Sequence, residues 1–196
     1  PSYPATLARV TSSVRQAVTV TASGYGARTA RLEAWTRTTG GWARSFGPWT
    51  ANLGYTGLAR PGAKHEGDGH TPSGVYGFSY MFGIEPNPGV HDTYRHVTGS
   101  YDVWDDDPSS PRYNEWVDTR TADAGRSPEP MDNAPSYLYG AVIGYNAART
   151  PGLGSAIFLH VTKGGSTAGC VAIPEGDLVP LLRWLRPGAE ISMGVG

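Results

Sequence analysis

Ile157-Phe158-Leu159-His160-Val161, followed after a glycine-rich turn by Ser166-Thr167-Ala168-Gly169-Cys170-Val171, is the stretch from which the rest of the chain is best read. The first segment is a short apolar run with a histidine near its end, the pattern of a buried strand that delivers one polar side chain. The second places the only cysteine of the chain behind Lys163-Gly164-Gly165-Ser166, a turn able to fold it back toward His160. One thiol cannot form an intramolecular disulfide, and it falls well short of a cysteine-rich zinc site. A lone cysteine near a histidine is the raw material of a thiolate nucleophile and its general base. Gly169 lets the backbone approach a substrate, and the amides of Gly169 and Cys170 are candidate donors to an oxyanion. On spacing alone, an inert buried thiol beside a core histidine is an equal alternative.

Outward from this stretch, residues 137–145 and 155–161 read as two buried strands. Residues 175–185 carry Leu178, Leu181, Leu182 and Leu185, the i, i+3, i+4, i+7 stripe of one short helix. Pro187-Gly188 ends it, and residues 189–193 read as a closing strand. Toward the N-terminus, residues 14–22 and 30–35 alternate as strands, and Gly40-Gly41 supplies a hairpin turn before a third strand at 42–46. Residues 54–74 read as a polar, glycine-rich loop, and 75–82 as a further strand. Residues 85–135 are rich in Pro, Asp, Ser and Tyr and show little periodicity. We read them as an extended insertion or lid rather than a second domain, because Tyr94, Tyr101, Trp104, Tyr113 and Trp116 can dock it onto a core.

Composition bounds the rest. At 196 residues the chain fits a single domain spanning 1–196, and 27 Gly with 16 Pro favour many turns and short strands over long helices. A net charge of −1 gives no reason to expect nucleic acid, and no apolar run approaches the roughly 18–20 residues of a bilayer span. Pro1-Ser2-Tyr3 shows neither an initiator methionine nor a leader, which fits a secreted protein whose signal peptide has been removed, or a trimmed chain.

The segment Phe158-Leu159-His160 with Ser166-Thr167-Ala168-Gly169-Cys170-Val171 resembles the signature of L,D-transpeptidase catalytic domains of the YkuD type. Gly67-Asp68-Gly69-His70-Thr71-Pro72-Ser73-Gly74 resembles that family's upstream Thr-Pro-x-Gly turn. The resemblance runs from about Gly67 onward, and the first 60 residues carry no motif. It implies a mainly β fold, a YkuD-like sandwich or mixed sheet with one short C-terminal helix and a long loop insertion. It also implies acyl transfer on peptidoglycan stem peptides at a secreted or wall-associated location, with no cofactor, by a protein expected to be monomeric. Cys170 would attack the carbonyl of the third stem residue, and His160 would serve as base and then acid. Two positions depart from the family: Ala168 stands where a histidine is usual, and Ala172 where Arg or Asn is common. Thr167 and Ala168 are candidate substrate contacts beside the nucleophile. Rival readings are an L,D-carboxypeptidase using the same two residues and a catalytically silent wall-binding module.

Other chemistry-bearing residues are weighed against plainer roles. His65-Glu66-Gly67-Asp68-Gly69-His70 spaces its histidines i, i+5 with glycines between, unlike the i, i+4 helical pair of a zinc peptidase, so no metal site is expected. His91 and His96 lie further along. Asp105-Asp106-Asp107 lacks the alternating spacing of a calcium loop and reads as a solvated turn. Lys64 and Arg60 are candidates to meet substrate carboxylates, and Trp104 and Tyr113 to line a binding groove.

Overall fold

The computed structural model describes residues 3–196; Pro1 and Ser2, on which the reading of a processed start partly rests, lie outside the described residues. Alternating apolar residues build three consecutive antiparallel strands, β1 (Gln16–Ala22), β2 (Thr29–Thr38) and β3 (Gly41–Asn52). Gly41, at φ +115°, makes the β2–β3 turn where the glycine pair predicts it. β3 continues to Asn52, beyond the expected 46, with register shifts opposite residues 32–35. β4 (Gly74–Gly83) follows the long loop and carries β5 (Tyr94–His96) beside its end.

Further along, β9 (Gly140–Ile143) and β10 (Phe158–Val161) are both shorter than their apolar runs suggest. β11 (Val171–Ile173) starts immediately after Cys170, and α1 (Glu175–Trp184) and β12 (Glu190–Val195) complete the chain. The sheet order is β12-β1-β2-β3-β11-β10-β9-β4-β5, and β12 also pairs with β4, so eight strands close into a barrel-like sandwich. The mainly β, mixed-sheet expectation with one short α-helix holds. Inside lie Val18, Val20, Leu32, Leu159, Val171, Ile173, Ile191 and Met193, together with the four leucines of the helical stripe. Each such side chain taken fully from water contributes roughly 1.5–3 kcal/mol.

Residues 85–135 differ from expectation in having a sheet of their own. β6 (Asp102–Asp105) pairs with β7 (Glu115–Asp118) on one side and β8 (Glu129–Pro130) on the other. Asp105 is not in a solvated turn: it is fully buried and accepts from the amides of Asp107 (3.1 Å) and Gly125 (3.0 Å) and from the Ser110 hydroxyl. Asp102 likewise takes the Thr98 amide (2.7 Å) and the Trp116 indole N–H (2.9 Å). Buried carboxylates satisfied by N–H and O–H donors do here what a ladder does in the barrel. Trp104, Trp116, Met131 and Val97 of this insertion pack with Phe82, Tyr137, Val142, Phe158 and Cys170 in a second cluster.

Candidate active site

Side chains alternate along a strand, so β10 turns Leu159 and Val161 into the core and Phe158 and His160 to the other face. β11 runs parallel to β10 with His160 opposite Ala172. Cys170 stands two residues before Ala172 and therefore on the same face, a diagonal neighbour of His160. Both line one cleft of about 380 Å³, with Ala156, Ile157, Thr167, Ala168 and Gly169.

Each reactive group is held by backbone. The Cys170 thiol donates to the Ala156 carbonyl at 3.2 Å and accepts the Phe158 N–H at 3.3 Å. Ala156 holds φ +52°, a conformation costly for a residue with a Cβ. His160 Nδ1 lies 2.8 Å from the Val161 carbonyl, which can only accept, so Nδ1 carries the hydrogen and Nε2 is the basic nitrogen. Tyr137 meets the imidazole edge-on at 5.4 Å. Burial pushes the Cys170 thiol well above its ordinary range, with the Glu129 carboxylate adding to it against the Phe158 N–H. Burial, and secondarily Lys163, pulls His160 down to about 4 against the favourable Val161 contact. Both shifts favour the neutral thiol and the neutral imidazole.

The Cys170 carbonyl is clamped by two hydroxyls, from Thr167 at 2.8 Å and Thr71 at 3.2 Å. Thr71 is fully buried and in turn accepts the Gly54 N–H at 2.9 Å. Thr167 accepts the Gly169 N–H at 3.1 Å. That amide, expected to face an oxyanion, is thus turned into its own loop. Gly169 has φ +153°, and a Cβ there would come within 2.9 Å of the His70 carbonyl. Thr167, expected as a substrate contact, does line the cleft, but its hydroxyl holds the Cys170 backbone. Ala168 is exposed on the cleft wall.

The remaining candidates divide. Lys64 reaches the cleft, yet it is buried and its ammonium is taken by Asp68 and the His65 carbonyl, each at 2.6 Å. Arg60 stacks over Tyr25 at 4.5 Å and is not part of the cleft lining. Trp104 is buried edge-on against Phe158 (5.0 Å) and gives its N–H to Asn114, and Tyr113 is buried with its hydroxyl on the Glu66 carboxylate. Both brace the insertion and neither lines the cleft of Cys170 and His160; Trp104 lines a separate cavity with Trp116, Asn114 and Arg95. Of the loop read against a zinc motif, Glu66 turns to Tyr113 and Ser155 (2.7 Å). Among the described residues no three His, Cys, Asp or Glu side chains gather as metal ligands.

Sequence reasoning did not single out Glu129, Ser136, Tyr137 or Ser155, and it read Glu66 as part of a polar loop and Asp106 as part of a solvated turn; all six line the cleft. Asp106 is pushed up to about 6 by burial and next by Glu66. Glu129 is raised by burial, with Asp106 and Glu66 adding, although the Tyr137 hydroxyl bonded to it opposes the shift. Thr71, whose hydroxyl holds the Cys170 carbonyl, had a signal in its place in the Thr-Pro-x-Gly turn.

Comparison with known proteins gives one result. The family model described as YkuD, L,D-transpeptidase catalytic domain, matches residues 40–193. No curated protein and no solved structure matches the chain.

Proposed function

The chain belongs to the YkuD family of L,D-transpeptidase catalytic domains, whose function lies in peptidoglycan, and from that premise we propose that it is a cysteine acyl transferase acting on peptidoglycan stem peptides. One observation carries the reading: Cys170, immediately before β11, and His160, on the adjacent parallel β10, line a single cleft, with Nε2 of His160 left as a base.

In the proposed sequence, the donor's third-residue carbonyl enters beside Cys170. The thiol leaves the Ala156 carbonyl and gives its proton to His160 Nε2, while sulfur bonds to the carbonyl carbon. The negative charge passes to the carbonyl oxygen, which the Cys170 amide stabilises; Gly169 can join only by releasing Thr167. Collapse breaks the C–N bond, His160 returns its proton to the departing amine of the terminal residue, and a thioester remains. A second amine then gives cross-linking, and water gives carboxypeptidase activity. Because neutral thiol and imidazole are both favoured at rest, proton transfer is coupled to substrate arrival instead of preceding it.

The insertion supports the lid reading, since Asp106, Glu129 and Asn133 form part of the cleft wall. Action on the wall also supports the secreted or wall-associated location. The test is incubation with a β-lactam of the carbapenem class, followed by intact mass. One equivalent is expected on the wild type and none on Cys170→Ser, and label persisting in that variant overturns the nucleophile. With a disaccharide-tetrapeptide, a tripeptide thioester and a cross-linked dimer are the expected products.

A further inference from the structure

Large apolar side chains standing exposed are few among the described residues: Tyr3, Tyr55 and Leu153. An isolated exposed tyrosine is ordinary on a protein surface. Tyr55 differs in how firmly it is held and where. Its amide bonds the Thr167 carbonyl at 2.9 Å, and its hydroxyl points to the Gly67 carbonyl at 3.4 Å; both partners line the cleft. The ring lies on Gly69, where a Cβ would come within 2.2 Å of it and φ is +69°. The loop beneath is braced by Thr56, whose amide bonds the Gly69 carbonyl (3.2 Å) and whose hydroxyl bonds that of Asp68 (2.8 Å).

One ring face is therefore sealed on backbone while 47% of the residue remains exposed. Among the described residues four arginines stack on aromatic rings, over Trp42, Tyr25, Trp116 and Tyr101, and none uses Tyr55. Nor does Tyr55 enter any of the ring–ring contacts. A flat, unwalled aromatic surface suits the flat C–H-bearing face of a pyranose better than an aliphatic chain, which needs enclosing walls. The catalytic cleft, about 380 Å³, lies near the small end of ligand pockets and suits a peptide segment rather than a peptide with its sugars. A stem peptide engaged there leaves its sugar at the rim, where Tyr55 stands with its amide on the carbonyl of the cleft residue Thr167.

We propose that Tyr55 is a stacking platform for a pyranose ring of an amino-sugar chain, so that a glycan-borne peptide reaches Cys170 with its sugar seated on this ring. This rests on the peptidoglycan reading, and its test is separable from it. Soluble tetra-N-acetylchitotetraose is titrated into wild type, Tyr55→Ala and Tyr55→Trp, followed by tyrosine ring NMR shifts and calorimetry, with Cys170 acylation by a carbapenem measured in parallel. Expected are saturable shifts at Tyr55 in the wild type, a tenfold or greater loss of affinity in Tyr55→Ala, retention in Tyr55→Trp, and one acylation rate for all three. Equal affinity in Tyr55→Ala, or no shift in the wild type at millimolar sugar, overturns the platform. Absence of acylation with sugar binding intact overturns the catalytic reading instead.

Discussion

Two walls meet at the cleft, and they are held by different physics. The barrel wall, β10 and β11, is a hydrogen-bonded ladder backed by Leu159, Val161, Val171 and Ile173 in a continuous apolar core. The opposing wall, from the insertion, consists of strands of two to four residues tied by Asp102 and Asp105 to amides, a hydroxyl and an indole. Cys170 and His160 sit on the first wall, and the carboxylates Asp106 and Glu129 come from the second. The thiol and the imidazole are thus placed where backbone position is over-determined. Groups that tune charge and shape are hung on a polar framework whose loss strands unpaired donors.

The sharpest break in this comparison is His160→Ala. Removing a positioned base should slow carbapenem acylation by about 10²–10⁴-fold while the folded state survives. A folded variant acylating at the wild-type rate would return His160 to a packing role. Next in size is Asp105→Ala, which leaves three donors without their buried acceptor. We expect a loss of roughly 3 kcal/mol in urea unfolding, at about 1 kcal/mol per stranded partner, with Asp105→Asn recovering part of it. Unchanged stability would mean that the aromatic cluster alone holds the insertion.

Thr71→Val probes the barrel wall more gently. It removes one of two hydroxyls on the Cys170 carbonyl and leaves the Gly54 amide unpaired, for about 1–2 kcal/mol of stability. Acylation should fall several-fold if that clamp positions the nucleophile, and Thr71→Ser should restore it; equal rates in the Val and Ser variants would limit Thr71 to folding. The smallest effect should come from Glu129→Gln. The carboxylate adds to the upward shift of the Cys170 thiol, so removing its charge should move the curve of thiol alkylation against pH toward lower pH. A curve that stays in place would separate the insertion from the electrostatics of the site.

What could be read from the sequence follows the same division. The barrel strands announced themselves because alternation and apolar runs are local consequences of facing a core, and the leucine stripe of α1 did likewise. His160 and Cys170 were legible because their types are rare and their turn is short. The presence of an insertion was legible from its aromatics, but its internal framework was not, since Asp105 takes its Gly125 partner twenty residues away and Glu66 finds Tyr113 forty-seven residues away. Trp104 and Tyr113 looked like groove residues for the same reason: aromatic identity is visible in sequence, but the partner that consumes the polar tip is not. Lys64 looked like a free cation until the fold brought Asp68 against it.

Glu190 at the start of β12 pairs with Ala17 on one side and Gly77 on the other. Until residues 190–195 dock, β1 and β4 are bare edges, and bare edges recruit strands from other molecules. The ring cannot be finished by local contacts, because its two neighbours at that point were made well over a hundred residues earlier. A chain cut before Glu190 still contains both Cys170 and His160, yet it has an open sheet prone to aggregate. Damage at this strand is therefore expected to remove a faulty copy from solution and not to leave a loosely folded protein that still carries both residues of the cleft.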